Sequence, residues 1–230
     1  MRTEAVRSLM EQQYQDIFKQ TYADVVRGSQ NTHELFSEAL DGATIQTEFE
    51  ESELGLSLKM IARTIKAREK LGARRQTFFI RFGGWDHHIE LLNAQNEMLG
   101  EVSRGMSSFQ SALEELGIQD CVTTFTVSDF ARTLTSNGNG TDHAWGSNVL
   151  VMGNQVKGQE VYGQYPSLAL NTPLMLEGGV VIPQVSTDEY FAELAMWYGV
   201  SRSDLTYLFP NLGNFYNIMS PEPPLGFMHL

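Results

Sequence analysis

The sequence predicts an α/β fold. Three consecutive segments carry that reading: the apolar, aromatic-rich run Thr77-Phe78-Phe79-Ile80-Arg81-Phe82, a long stretch with helical apolar periodicity, and the β-forming run Cys121-Val122-Thr123-Thr124-Phe125-Thr126-Val127. A strand, a helix and a strand in succession form a right-handed crossover when the two strands lie parallel in one sheet. The loops that follow such strands gather at one edge of the sheet, where α/β proteins place their ligands.

The elements follow in chain order. Residues 1–28 read as a helix, polar and free of Gly and Pro before Gly28, with Leu9, Tyr14, Phe18, Tyr22 and Val25 three to five residues apart. Gly28-Ser29-Gln30-Asn31-Thr32-His33 reads as a break, with an acidic stretch after it to about Ser57. His33 has no second ligand candidate at useful spacing and reads as a surface residue. Residues 55–71 predict an amphipathic helix with Leu58, Ile61, Ala62, Ile65 and Ala67 on its apolar side.

The run at 77–82 fits a central strand better than a helix. Leu92, Leu99, Val102, Met106, Phe109, Leu113 and Leu116 then recur at helical separations that hold one stripe against a core. Gly117 supplies the C-terminal cap. Asn148–Met152 is a third short strand, and Val180-Val181-Ile182-Pro183 a short extended piece. Thr187-Asp188-Glu189 starts a helix through Tyr198 whose buried side is Tyr190, Leu194 and Trp197. Ser201–Asp204 starts a shorter one before Phe209-Pro210, and the proline-containing tail from Ser220 reads as loosely held. The expected division is a weakly ordered helical segment 1–54, an α/β domain 55–219 and a tail 220–230.

Composition narrows the function classes. A chain of 230 residues can build one substantial core, and its length does not require two domains. The net charge of −12, from 28 acidic and 16 basic residues, repels phosphate backbones and argues against nucleic acid as a partner. A small anionic ester stays compatible, because a bound metal dominates its local field. Cys121 is the sole cysteine, so no internal disulfide forms, and its strand-like setting reads as a buried, inert thiol. No apolar run approaches the roughly 20 residues of a membrane helix. The charged N-terminus lacks the apolar core of a secretion signal.

Gly83-Gly84-Trp85-Asp86-His87-His88 and Gly140-Thr141-Asp142-His143-Ala144-Trp145-Gly146 are the chemically informative segments. Each sets carboxylate and imidazole side by side in a glycine-rich turn, and these groups bind divalent metals when a fold brings them together. Two residues apart, Asp86 and His88 point to the same side of an extended segment. His87 then faces the other way, as a residue supporting the ligands or lying on the surface. Asp129 follows the strand ending near Val127 and falls at the same sheet edge. The metal ligands expected are Asp86, His88, Asp129 and His143, with His87 and Asp142 as additional or supporting groups. Other roles compete. Asp86 can cap a helix beginning near Ile89, and Asp142 can bind the amides of its own turn. Asp129 can cap a helix over Ala131–Leu134 and pair with Arg132. Nitrogen and oxygen ligands suit zinc, manganese or iron.

These motifs, together with Ser128-Asp129-Phe130-Ala131-Arg132, resemble the successive signatures of a bacterial family catalogued as domain of unknown function 1501 (DUF1501), within the alkaline phosphatase/sulfatase-like superfamily. Val161-Tyr162-Gly163, Ile182-Pro183 and Leu208-Phe209-Pro210-Asn211-Leu212 extend the resemblance, which covers about Leu56 to Phe215. It implies a three-layer α/β/α sandwich of alkaline phosphatase-like type with metals at the strand ends. Asp86, His88 and His143 match one metal's ligands, and Asp129 matches part of a second. Phe130 stands where the second site has an imidazole. The family pattern also has Thr at His87 and Gly at Ala131 and Ala144.

The superfamily's catalytic nucleophile and a further ligand come from an N-terminal half that this chain does not resemble. What is expected is therefore a metal-dependent hydrolase of phosphate or sulfate esters with an incomplete active site. The alternative is a non-catalytic binding or assembly module, or a fragment of a larger family member, whose uncovered sheet region meets a partner or a second copy. Full-length relatives carry a twin-arginine export signal and suggest a periplasmic location, although no such signal is found in this sequence.

Overall fold

The computed structural model describes residues 2–230, and the chain divides into two compact units, Met1–Arg81 and Phe82–Leu230. It mixes α-helices with short antiparallel strand pairs.

The first unit is helical: α1 (Arg2–Glu11), α2 (Ile17–Asp41) and α3 (Glu53–Lys66). Asp16 starts α2, accepting a hydrogen bond from the Lys19 amide at 3.0 Å. The break therefore falls before Ile17, and α2 runs through Gly28–His33, where the sequence suggests an interruption. A glycine inside a helix costs only about 1 kcal/mol relative to alanine, and the well-capped start of α2 overrides it. Phe18, Tyr22 and Val25 lie on the solvent side of α2 despite their helical spacing.

Burial concentrates at the far end, where Ala39, Leu40, Ala43 and Ala67 form a core with Phe36 and Leu71 against it. Arg63 reaches from α3 to donate to the carbonyls of Leu40 and Ala43 at 2.9 and 3.0 Å, satisfying the open end of α2. Leu58, Ala62, Ile65 and Ala67 are buried, as their spacing predicts.

The second unit holds α4 (Leu91–Glu115), β1 (Thr124–Phe125), β2 (Ala131–Ser136), β3 (Thr141–Ala144), β4 (Val151–Met152), β5 (Met175–Leu176), β6 (Val180–Val181), α5 (Thr187–Tyr198) and α6 (Leu205–Leu208). Its strands pair as β1–β4, β2–β3 and β5–β6, all antiparallel. The expected parallel strand–helix–strand unit is not formed among the described residues. Residues 77–82 have strand-forming side chains, but among the described residues no neighbouring segment is hydrogen-bonded to their backbone. Propensity without a partner does not make a strand. Phe79 accordingly stays 82% exposed.

The predicted stripe on α4 holds only in part. Phe109 and Leu113 are buried, while Leu92 and Leu99 face solvent. Gly117 ends the helix as expected: in the left-handed region, with φ of +65°, it donates to the Glu114 carbonyl, and Ile118 donates to Leu113. Cys121 lies in the single helical turn that follows and is exposed, which corrects the expectation of a buried thiol; that turn carries it out of any sheet.

Helix α5 begins at Thr187 through a reciprocal cap. The Ser186 hydroxyl accepts from the Glu189 amide, and the Glu189 carboxylate accepts from the Ser186 amide. Tyr190 and Leu194 are buried, and Trp197 packs against them with Phe227 and Met228. Burial raises the Tyr190 phenol above its ordinary pKa, and its hydroxyl donates to the Thr126 carbonyl at 3.3 Å.

The C-terminal segment is firmly held rather than loose. Glu193, fully buried on α5, accepts from the amides of Leu225, Gly226 and Met228 at 2.7, 2.6 and 2.7 Å. Arg202 binds the carbonyls of Ser220 and Pro221. These hydrogen bonds to Glu193 and Arg202 hold the segment in place despite its prolines.

Candidate metal centre

The site is built from two loops of the second unit. The first precedes α4 and carries Asp86, His87 and His88; the second is the β2–β3 hairpin. Asp142 and His143 lie in β3, and Ala131–Ser136 is a strand, so Asp129 caps no helix there. The register pairs Arg132 with His143 and Ala131 with Ala144. Directly opposed residues project to the same face of a hairpin, so Arg132 and His143 stand side by side.

The hairpin turn is docked on the first loop. Thr141 donates its amide to the His87 carbonyl at 3.3 Å, and the Asn137 side-chain amide donates to the His88 carbonyl at 3.2 Å. Gly140 lies so close that an added Cβ would sit 2.3 Å from the His88 carbonyl carbon and 2.4 Å from its oxygen. Gly140→Ala is therefore expected to lift the turn off the first loop and cost about 1–3 kcal/mol, the range for overpacking. Urea unfolding checks this, and an unchanged midpoint would count against the docking.

Asp86, His88 and His143 offer donor atoms that all lie within 4.8 Å of one another. Asp86 Oδ1 is 2.7 Å from His143 Nε2, 3.0 Å from His88 Nε2 and 2.9 Å from Arg132 Nη1. His88 Nδ1 lies 3.1 Å from Asp142 Oδ1. Arg132 also donates from Nε to the Thr141 hydroxyl at 2.9 Å and from Nη2 to the Thr141 carbonyl. The phenyl ring of Phe130 stacks on the His143 imidazole, and His143 in turn stacks on His88.

The donor set fits a divalent cation on geometry and chemistry. One carboxylate oxygen and two imidazole nitrogens within 4.8 Å of one another are donor types that zinc and similar divalent ions take, and Asp86, His88 and His143 would hold such an ion. His88 touches a carboxylate with each ring nitrogen, and both contacts are hydrogen bonds only when both nitrogens carry protons. With a cation held at Nε2, Nδ1 would keep its proton on Asp142, a carboxylate–histidine pairing that fixes a ligand's tautomer.

Asp86 is held below its ordinary pKa of 3.8, first by the hydrogen bond with His143 and then by the one from Arg132; the charges of His88 and His143 add to this, while desolvation opposes it. The carboxylate therefore stays ionised across the neutral range.

The remaining candidates lie apart from this cluster. Asp129 is exposed in the bend before β2 and does not join it, and Arg132 pairs with Asp86 instead. His87 is buried, not at the surface; it packs edge-on to Trp85, and its Nδ1 has no hydrogen-bond partner among the described residues. Sequence reasoning left out the roles of Arg132 and Phe130. Their two-residue spacing, opposite His143 in a hairpin, is the signal that could have found them.

A family model described as "Protein of unknown function (DUF1501)" matches residues 1–179, taking in the N-terminal helices that the motifs alone left outside. No curated protein and no solved structure matches the chain.

Proposed function

The chain belongs to the DUF1501 family of proteins of unknown function, and from that premise we propose that its second unit binds one divalent cation through Asp86, His88 and His143, in the site of a metal-dependent hydrolase of phosphate or sulfate esters. The observation that carries this reading is the convergence of a carboxylate and two imidazoles from loops more than 50 residues apart in sequence. Exposed acidic groups are common without an ion, but two imidazoles on one carboxylate oxygen, one of them oriented by a further carboxylate, form an organised donor set.

In ester hydrolysis one O–P or O–S bond breaks, a bond to the oxygen of water forms, and the leaving alcohol takes a proton. When bound, a divalent cation polarises the ester and stabilises negative charge on its oxygens. The residues of this chain set the stage for that chemistry. Asp86 supplies the anionic ligand, His88 and His143 supply neutral nitrogens, and Asp142 holds the His88 ring in orientation. Arg132 anchors Asp86 through one nitrogen while Thr141 fixes its others.

The nucleophile comes from outside this cluster. The fold proposed is the α/β/α sandwich of the superfamily, with the chain contributing residues 55–219 to it and 1–54 and 220–230 flanking them. Zinc, manganese or iron suits the donor set.

The test is the metal content of the purified chain, measured by elemental mass spectrometry beside His143→Ala. About one ion per chain is expected, lost in the variant without loss of fold, because the His143 side chain is half exposed and adds little to the core. A folded wild-type protein that takes up neither added zinc nor manganese would reject the proposal.

A further inference from the structure

The two imidazoles of the cluster are held by different devices. His88 is fixed at Nδ1 by Asp142. His143 has no hydrogen-bond partner at Nδ1 among the described residues, and its side chain is 52% exposed. An exposed imidazole with one free ring nitrogen samples several rotamers and turns about its terminal torsion. Its ring is instead confined by a face. The Phe130 phenyl lies parallel to it at 7°, with ring centroids 4.2 Å apart. His88 stacks on it as well, at 5.2 Å and 29°.

Phe130 is itself steadied. It is half-buried, and the Arg132 guanidinium, anchored on Thr141 and Asp86, lies 5.7 Å from its ring centre.

We propose that Phe130 is a positioning residue, whose ring face holds the His143 imidazole in the plane that aims Nε2 at the cation position beside Asp86. Stacking does for His143 what the Asp142 carboxylate does for His88. This role rests on the cation-binding reading of the cluster. Loss of an outer group that orients a ligand typically lowers metal affinity by about 10- to 100-fold, and the same range is expected here.

The experiment compares wild type, Phe130→Leu and Phe130→Tyr in two measurements. In the metal-free protein, NMR reads the ring-current shift of the His143 ring protons. It is expected upfield in wild type and Phe130→Tyr, and to relax in Phe130→Leu, which keeps apolar bulk but has no ring face. Cobalt(II) titration then reads affinity and the visible absorption of the bound ion. Phe130→Tyr is expected to bind like wild type, and Phe130→Leu at least about 10-fold more weakly with an altered spectrum.

Equal binding by Phe130→Leu and wild type overturns the role of Phe130 alone, as does the absence of a ring-current shift in wild type. Wild-type protein that shows the shift yet takes up no cobalt overturns the cation-binding reading, and this role with it. If Phe130→Leu does not fold, Phe130→Met replaces it under the same criteria.

Discussion

Glu193→Ala is expected to destabilise the second unit by about 3–5 kcal/mol, enough to remove a large share of a typical domain's stability. Glu193 is fully buried, and both of its carboxylate oxygens are used: Oε2 accepts from Leu225 and Gly226, and Oε1 from Met228. Truncation leaves three backbone donors facing a cavity, each costing about 1–3 kcal/mol when buried without a partner. Phe227 and Met228, which pack on Tyr190 and Leu194, lose the tether that seats them.

Glu193→Gln keeps the shape but turns an amide group toward at least one of those donors, so a smaller loss is expected. Chemical denaturation measures the difference in stability. Hydrogen exchange separates mechanism from bulk effect, because the amides of Leu225, Gly226 and Met228 should lose protection before those of α5. Uniform loss, or none, would show that the carboxylate is not what holds the C-terminal segment.

Asp86→Asn should lower affinity for zinc or manganese by more than about 100-fold while leaving the fold intact. The carboxylate is the single oxygen on which His88, His143 and Arg132 converge, and it is exposed, so its removal disperses the cluster without opening a core. Calorimetric titration reads the affinity, and circular dichroism the fold. Retained affinity would mean that the imidazoles bind without Asp86.

The acid side of the same prediction follows from linkage. The folded pKa of Asp86 lies below its ordinary value of 3.8. Its contribution is therefore fully present above the unfolded-state value and is lost as pH falls through the lowered folded one. Carboxyl NMR should find the Asp86 midpoint below 3.8, and His143→Ala should bring it back up, since the hydrogen bond with His143 is the largest cause of the shift.

Local chemistry was legible in the sequence wherever it is settled within a few residues. The start at Thr187-Asp188-Glu189 and the left-handed Gly117 need only their own helix ends. Helix α5 begins at Thr187 and α4 stops just before Gly117, although the Ser186 half of the α5 cap emerges only in the structure. The two-residue spacing sets Asp86 and His88 on one side and His87 on the other, as a supporting or surface residue; in the structure Asp86 and His88 are exposed and His87 is buried.

Amphipathic periodicity was less informative. The same helical spacing buries Leu58, Ala62 and Ile65, yet leaves Phe18, Tyr22, Leu92 and Leu99 in solvent. Period tells which residues share a face, and only a neighbour decides whether that face is covered. The exposed stripes and the unpaired run at 77–82 are cases in which the pattern is present and the neighbour is not.

The sequence by itself determined the donor types, the glycine-rich turns that carry them and the caps that bound the helices, because these depend on side-chain chemistry and backbone torsions over a few residues. The tertiary structure decided which donors meet. His143 reaches Asp86 across 57 residues through the docked β2–β3 hairpin, Arg132 turns to Asp86 and leaves Asp129 outside, and Glu193 ties down a segment that its prolines suggested was free. Those pairings rest on strand register and on close backbone approach at Gly140, quantities that arise only when distant segments are fixed against each other.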